Sequence, residues 1–309
     1  MRVAVYGTGG IGGYFGGRLA QAGEDVVFIA RGEHLRSICE EGLKVDSTKG
    51  DFVIHPAQAT ESPGEIGAVD LVLLGVKAWQ VPEAAEAMRP MIGPETVVLP
   101  TQNGVEAAPQ LVAALGRQHV LGGVAKIISF IASPGHIKHA GAEPFLAFAE
   151  LDNIPSERTE RLRQMFTTAG VLVKVPKDIH AAIWEKFLMV AAWGGVGAAT
   201  RVPVGVLRQV DESRQLLKCA MLEIRRLAEA RQIQLPEAAV DKALSFIDAL
   251  PANATNSLQR DIVEGKPSEL EAWSGAVVRL GRESDVALPV NETIYHCLLP
   301  LELQARKLI

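Results

Sequence analysis

Residues 3–12 read Val-Ala-Val-Tyr-Gly-Thr-Gly-Gly-Ile-Gly, and the reading of this stretch decides the fold. The apolar run Val3–Tyr6 has the character of a buried strand. It passes directly into Gly7-Thr8-Gly9-Gly10-Ile11-Gly12, a G-x-G-x-x-G spacing at the opening of a helical pattern. The spacing has physical reasons. Gly7 accommodates a tight turn, and Gly9, without a side chain, lets a pyrophosphate reach the backbone. Gly12 lets the helix lie close to the sheet, and the helix N-terminus aims unpaired N–H groups at the phosphates. The stretch predicts a dinucleotide site formed by Gly7, Gly9, Gly10, Ile11 and Gly12. The further glycines Gly13, Gly16 and Gly17 keep a second reading open, a turn adapted only to tight helix packing.

The second apolar run, Asp25–Ile29, ends in Ala30-Arg31. An NAD site places an Asp or Glu about 20 residues beyond the glycines to bond the ribose 2′-hydroxyl. Here a guanidinium stands in that place. Arginine suits a 2′-phosphate through charge and paired N–H donors, and a carboxylate would repel it. The reading is NADP(H), with Arg31 at the 2′-phosphate; the alternative for Arg31 is a solvated strand-end residue, and Glu33 stands close by.

Working outward, the first half alternates short apolar runs with helical patterns, the rhythm of a parallel sheet. Strands are expected at 2–6, 25–30, 70–76 and 96–100, and helices at 11–22, 80–91 and 105–116. Beyond 120 the pattern changes to short antiparallel strands at 122–130, 136–140 and 145–150, with Pro134-Gly135 as a turn. A helix at 155–169 and a strand at 171–175 follow, and Pro176 breaks the chain. From Asp178 onward apolar residues recur at helical spacing through 180–192, 213–231, 236–249, 267–281 and 291–307. Asn253–Arg260 reads as a polar interruption. The expected fold class is α/β: an N-terminal Rossmann-type dinucleotide-binding domain over 1–176, then an all-helical C-terminal domain over 177–309. That order predicts a substrate cleft at the junction.

Composition bounds the function classes. The 309 residues suffice for two domains with proper cores. A net charge of −5 without a basic cluster disfavours a nucleic-acid surface. Three widely separated cysteines, Cys39, Cys219 and Cys297, offer no metal-ligand spacing and fit buried thiols in a reducing compartment. His136 and His139 stand three apart in a stretch read as a strand, so no metal site is expected. The N-terminus enters a strand at once, so neither a leader nor a membrane-spanning run is expected, and a cytoplasmic protein is expected. The apolar helices of the second domain are candidates for a homodimer interface.

Three further segments complete the pattern. Val76-Lys77-Ala78-Trp79-Gln80 and Gln102-Asn103-Gly104 each follow a strand, at the carboxyl edge where open parallel sheets bind ligands. Trp184-Glu185-Lys186-Phe187 lies early in the first helix of the second domain. With the glycine loop, Arg31, the stretch Asn253–Asp261 and Pro267-Ser268-Glu269-Leu270, these resemble the ketopantoate reductase (2-dehydropantoate 2-reductase) family over essentially the whole chain. The resemblance implies roles. Lys186 matches a catalytic lysine that protonates the carbonyl oxygen as hydride arrives from the nicotinamide. Hydride addition builds alkoxide charge, which an ammonium both stabilises and quenches with a proton. A free lysine, with a pKa of about 10.4, is a weak acid at neutral pH, and burial in a cleft lowers that value. Without the resemblance, Lys186 would read as a lysine snorkelling on an amphipathic helix. Glu269 matches a glutamate that helps hold the active site, Ser257 a substrate-contacting serine, and Asn103 an asparagine near nicotinamide and substrate. Lys77 and Gln80 are assigned to the cofactor side. For Asn103 an Asn-Gly turn is the alternative, and for Lys77 and Gln80 solvated helix-start positions.

The chain departs from the family at four positions. On the lysine helix the family carries asparagines four and eight residues after the lysine, on one face; here they are Val190 and Gly194. A further asparagine corresponds to Val204, and another to Ala254, with Asn253 adjacent. Gly194-Gly195 and Gly197 suggest room in the site or a loosened helix end. Apolar pockets discriminate weakly, and these changes favour a less polar or bulkier carbonyl compound. The expected activity is NADPH-dependent reduction of 2-dehydropantoate to pantoate, in pantothenate and coenzyme A synthesis. The alternatives are reduction of a different, less polar 2-keto compound, or cofactor sensing without catalysis.

Overall fold

The computed structural model of the chain describes residues 1–309, the side chain of Ala142 excepted. The chain divides into two units. The first comprises Met1–Gln102 and Ala107–Ile179, and the second Asn103–Glu106 and His180–Ile309.

The first unit runs β1 (Arg2–Tyr6), α1 (Gly10–Gln21), β2 (Asp25–Ile29), α2 (Gly32–Glu41), β3 (Leu43–Ser47), β4 (Phe52–Ile54), β5 (Gln58–Thr60), β6 (Val69–Leu74), α3 (Val81–Ala87), β7 (Ile92–Pro100), α4 (Ala107–Leu115), β8 (Leu121–Ser133), β9 (His136–Glu150), α5 (Glu157–Thr168) and β10 (Leu172–Lys174). Five strands form a parallel sheet in the order β5-β2-β1-β6-β7, with Val3 beside Val26 and Leu71. Period-two alternation splits each strand between two cores. Val3, Val5, Phe28, Leu71 and Leu73 pack with Phe15 and Leu19 of α1, while Ala4, Val27, Val72 and Leu74 pack with Val81, Ala85 and Leu111.

A second sheet, β10-β9-β3-β4 with β8 paired to β9, supplies Val45, Ile137, Leu146 and Phe148 to the same core as α1. The strands expected at 122–130, 136–140 and 145–150 are two arms of one long hairpin. Its inner arm β9 also pairs in parallel with β3 and β10. The elements α2, β3, β4 and β5 escape the sequence reading. Each short strand carries too few alternations to stand out, and pairing with distant partners stabilises it.

The second unit is helical: α6 (Ile179–Thr200), α7 (Val204–Gln209), α8 (Asp211–Ala230), α9 (Ala239–Ala249), α10 (Ser257–Val263), a π-turn at Glu271–Gly275, α11 (Ala276–Glu283) and α12 (Pro289–Ala305). Its core gathers Phe187, Leu188, Met221, Ile224, Leu258, Leu270, Trp273 and Val277. Two expectations are corrected here. The stretch Asn253–Arg260 is not simply a polar interruption, because α10 begins at Ser257. The Asn256 carboxamide caps it, accepting from Gln259 N at 2.8 Å, a bond worth about 1 kcal/mol. The cysteines are not buried: Cys39 and Cys297 are exposed on α2 and α12, and Cys219 is half-buried. Helix position decides this, since each lies off the apolar stripe of its own helix.

Among the described residues no group of three His, Cys, Asp or Glu side chains could hold a metal ion, and no helix is long and apolar enough to cross a membrane.

Candidate active site

The strand order β5-β2-β1-β6-β7 brings the carboxyl ends of β2, β1 and β6 side by side. Gly7–Gly10 follow β1, Arg31 follows β2 and Lys77 follows β6, so three of the expected cofactor segments share one edge. The turn after β1 is held very closely. Gly7 has φ +95°, and a Cβ there would lie 2.9 Å from Val76 N. A Cβ at Gly12 would stand 2.2 Å from the Gly7 carbonyl oxygen, inside any allowed contact. At Gly9, by contrast, a Cβ would meet nothing within 4 Å. The loop is therefore tight where it touches protein and open where a phosphate would approach. With the first turn of α1 directly behind it, the loop fits a pyrophosphate.

Gly10 has a different task from its neighbours. A Cβ there would lie 2.3 Å from the Ser129 carbonyl oxygen of β8, so the second sheet leans directly on the start of α1. Ile11 is half-buried in the core beneath. Two residues that the sequence reading passed over tie the loop down. Thr8 is 3% exposed, and its N–H and hydroxyl both donate to Ile29 O, at 3.1 and 3.0 Å. His34 Nδ1 accepts from Gly135 N at 3.0 Å, so Nε2 carries the proton and donates to Thr8 O at 2.7 Å. Burial holds the His34 pKa below its ordinary value of 6.5. Thr8 lies inside the glycine motif and could have been singled out; His34 has no local signal, because its partner Gly135 is 101 residues away.

Arg31 is exposed at the start of α2, and its guanidinium lies 3.7 Å from Glu83, itself exposed. Such a pair is weak and can be exchanged for a phosphate. Glu33 is engaged by Arg36. Lys77 is exposed, with its ammonium 5.7 Å from the Trp79 ring centre, and its backbone N–H donates to Gln80 Oε1 at 3.2 Å. One end of the Gln80 amide thus closes the local turn.

In the second unit, Lys186 sits half-buried on α6, flanked by the buried Trp184 and Phe187. Ser257 opens α10, which is fastened to α6 by Asn256 Nδ2 donating to Trp193 O at 3.1 Å. Glu269 is 7% exposed, which excludes a solvated surface carboxylate. Its carbonyl accepts from Ala272 N and Trp273 N, both at 3.1 Å, where the chain enters the π-turn. Asn103 belongs to the same unit. Val105 packs on the helical core, and Glu106 pairs with Arg279 at 2.8 Å. Arg279 also binds Glu271 at 3.0 Å, which in turn accepts from Tyr295 Oη at 2.7 Å. Burial and the adjacent Glu271 carboxylate push the Tyr295 phenol up to about 12, so it remains a donor.

The family model described as "Ketopantoate reductase PanE/ApbA" matches residues 3–153, and that of its C-terminal part matches residues 178–302. The chain belongs to the ketopantoate reductase family. It is 29% identical to an uncharacterized oxidoreductase, YkpB, of Bacillus subtilis, covering 96% of this chain and 97% of that one. To a 2-dehydropantoate 2-reductase of Halobacterium salinarum it is 31% identical, covering 95% and 96%. The solved structure of 2-dehydropantoate 2-reductase from Geobacter metallireducens GS-15 superposes with a TM-score of 0.91 at 32% identity, covering 97% and 99%. The protein is an oxidoreductase of this family, and a nicotinamide dinucleotide is its cofactor class.

Against the ketopantoate reductase pattern, the four departures acquire physical content. Val190 is half-buried against the helical core, Val204 is fully buried with its N–H on Ala254 O at 3.0 Å, and Ala254 is half-buried. Gly194 does not make room, as the sequence suggests. A Cβ there would lie 2.7 Å from the Trp273 ring, which occupies the notch. Gly195 meets Ile294 at 2.7 Å and Gly197 meets Asn256 at 2.8 Å. Nor is the helix end loosened, since α6 runs on to Thr200. Each glycine costs helix propensity of up to about 1 kcal/mol, and here each permits a close approach between elements.

Proposed function

We propose that this protein reduces 2-dehydropantoate to pantoate with NADPH. Residues 1–176 bind the cofactor and 177–309 carry the substrate chemistry. The observation that supports this most is the family membership of both units, joined to a half-buried lysine on α6 at the matching position. NADPH, when bound, supplies a hydride from the nicotinamide ring. The open backbone at Gly9 and the N-terminus of α1 receive the pyrophosphate, with Gly10 and Ile11 shaping the turn. Arg31 leaves Glu83 for the 2′-phosphate, selecting NADPH over NADH. Lys77, Gln80 and Asn103 contact the cofactor, Asn103 reaching the substrate as well. Lys186 holds the ketone oxygen and delivers a proton to it as the alcohol forms. Ser257 holds the substrate, and Glu269 orients it beside Lys186.

A second reading concerns the substrate. Lys186, Val190 and Gly194 lie on one face of α6, and an indole fills the last position. That apolar surface favours a 2-keto acid with an apolar substituent over one bearing a hydroxyl. The test is NADPH oxidation with 2-dehydropantoate and a panel of bulkier 2-keto acids. For Lys186→Ala, kcat/KM should fall by about 10²–10⁴, with NADPH affinity retained. Turnover of an apolar keto acid alone moves the assignment to the second reading. Full activity in Lys186→Ala, or NADPH binding without turnover across the panel, overturns the catalytic one.

A further inference from the structure

Ser268, the residue before Glu269, is 0% exposed, and all three of its polar groups are bound by the last turn of α12 and its C-cap residue. Its N–H donates to both carboxylate oxygens of Glu302, each at 3.1 Å, and its hydroxyl donates to the same carboxylate. Its carbonyl accepts from Arg306 Nη2 at 2.8 Å. Arg306, the C-cap of α12, also pairs with Glu302 four residues earlier, at 2.5 Å. The Ser268 hydroxyl oxygen accepts in turn from Leu270 N at 3.2 Å. Glu302 is 1% exposed, among the most buried charges of the unit. A carboxylate withdrawn from water at this cost is retained only with full pairing, which it has here.

On the other side of Glu269 the chain passes into the π-turn, with Trp273 seated in the Gly194 notch of α6. Single π-turns within helices are frequent at functional sites. The segment bearing Glu269 is therefore pinned to α12 before it and to α6, the helix of Lys186, after it. An ordinary hydrophobic anchor at Ser268 would hold the chain without fixing its rotation. Four hydrogen bonds to Glu302 and Arg306 fix the peptide planes on both sides of Ser268, and hence the direction in which the Glu269 side chain leaves the backbone.

We infer that Glu302, paired with Arg306, is a positioning residue for the reaction, which sets the orientation of Glu269 through Ser268. The inference rests on the proposed role of Glu269. Glu302→Gln keeps the shape and removes the charge, and Arg306→Gln, at a more exposed residue, is the milder companion if the first folds poorly. With the best substrate of the keto-acid panel, either variant should lower kcat by about 10-fold or more, the scale expected for sub-ångström misplacement. NADPH affinity should stay within about 2-fold, since the cofactor loop is untouched. Amide exchange of the 266–272 segment should rise in the same variants. The decisive readout is the double variant. In a Glu269→Gln background, Glu302→Gln should cost no further activity, because residues acting as a unit are non-additive. A purely structural role would cost the same factor in both backgrounds, and that result overturns the inference. So does an unchanged kcat in folded Glu302→Gln and Arg306→Gln when Glu269→Gln alone is impaired. Full activity in Glu269→Gln instead removes the role of Glu269, and the inference with it.

Discussion

The glycine loop of the first unit and the lysine–glutamate region of the second are built on opposite plans. The first is a backbone site. Its geometry is set by atoms that are missing: a Cβ at Gly7, Gly10 or Gly12 would collide with backbone at 2.9, 2.3 and 2.2 Å. The second is a side-chain site. Lys186 and Glu269 stand 83 positions apart in the chain, and what holds them is an indole in a notch, an asparagine cap and a buried carboxylate. A backbone site tolerates no substitution at its contacts but asks little of distant sequence. A side-chain site of the kind proposed around Lys186 can change its lining, as proposed at Val190, while its scaffold, the Gly194 notch included, persists.

The loss of Lys186 should have the largest effect on turnover, and a glycine comparison tests the two plans on stability. Gly12→Ala places a methyl 2.2 Å from a carbonyl oxygen that cannot move without opening the turn. It should cost about 3 kcal/mol or more and abolish NADPH binding. Gly194→Ala meets a ring at 2.7 Å, and rings can shift. About 1–2 kcal/mol is expected, with NADPH affinity intact. Thermal melts and cofactor titration of both variants measure this; equal costs would break the contrast. Arg31→Ala should weaken NADPH by roughly 10–100-fold, the worth of a charge-assisted pair, and leave NADH affinity nearly unchanged. An equal loss for both cofactors would remove Arg31 from the 2′-phosphate.

The smallest effect concerns pH. His34 has its folded pKa held below 6.5 by burial, so its neutral form stabilises the loop above that value. The contribution is lost as pH falls through 6.5 and then through the folded pKa, when a proton on Nδ1 would oppose the Gly135 N–H. The difference in melting temperature between the protein and His34→Gln should shrink as pH is lowered from about 7.5 to about 5, a range spanning the imidazole titration. A constant difference would remove His34 as a tether.

The sequence by itself determined the parallel-sheet half, the helical half and the turn after β1. Those signals are local: period-two and period-3.6 apolar spacing, and glycines within six positions of one another. It also placed Arg31 and Lys77 at strand ends, from which the sheet order set them on one edge. It did not determine the small strands β3–β5, the filling of Gly194 by Trp273, or the clamp of Ser268 by Glu302. Each depends on partners tens of residues away, and a residue carries no local mark of what will pack against it. Gly194 shows the limit most plainly. Read along the chain, a glycine is an absence and suggests space. Whether that space is open or holds a ring is decided only when the π-turn folds back onto α6, because close packing fills any notch that a neighbouring side chain can reach.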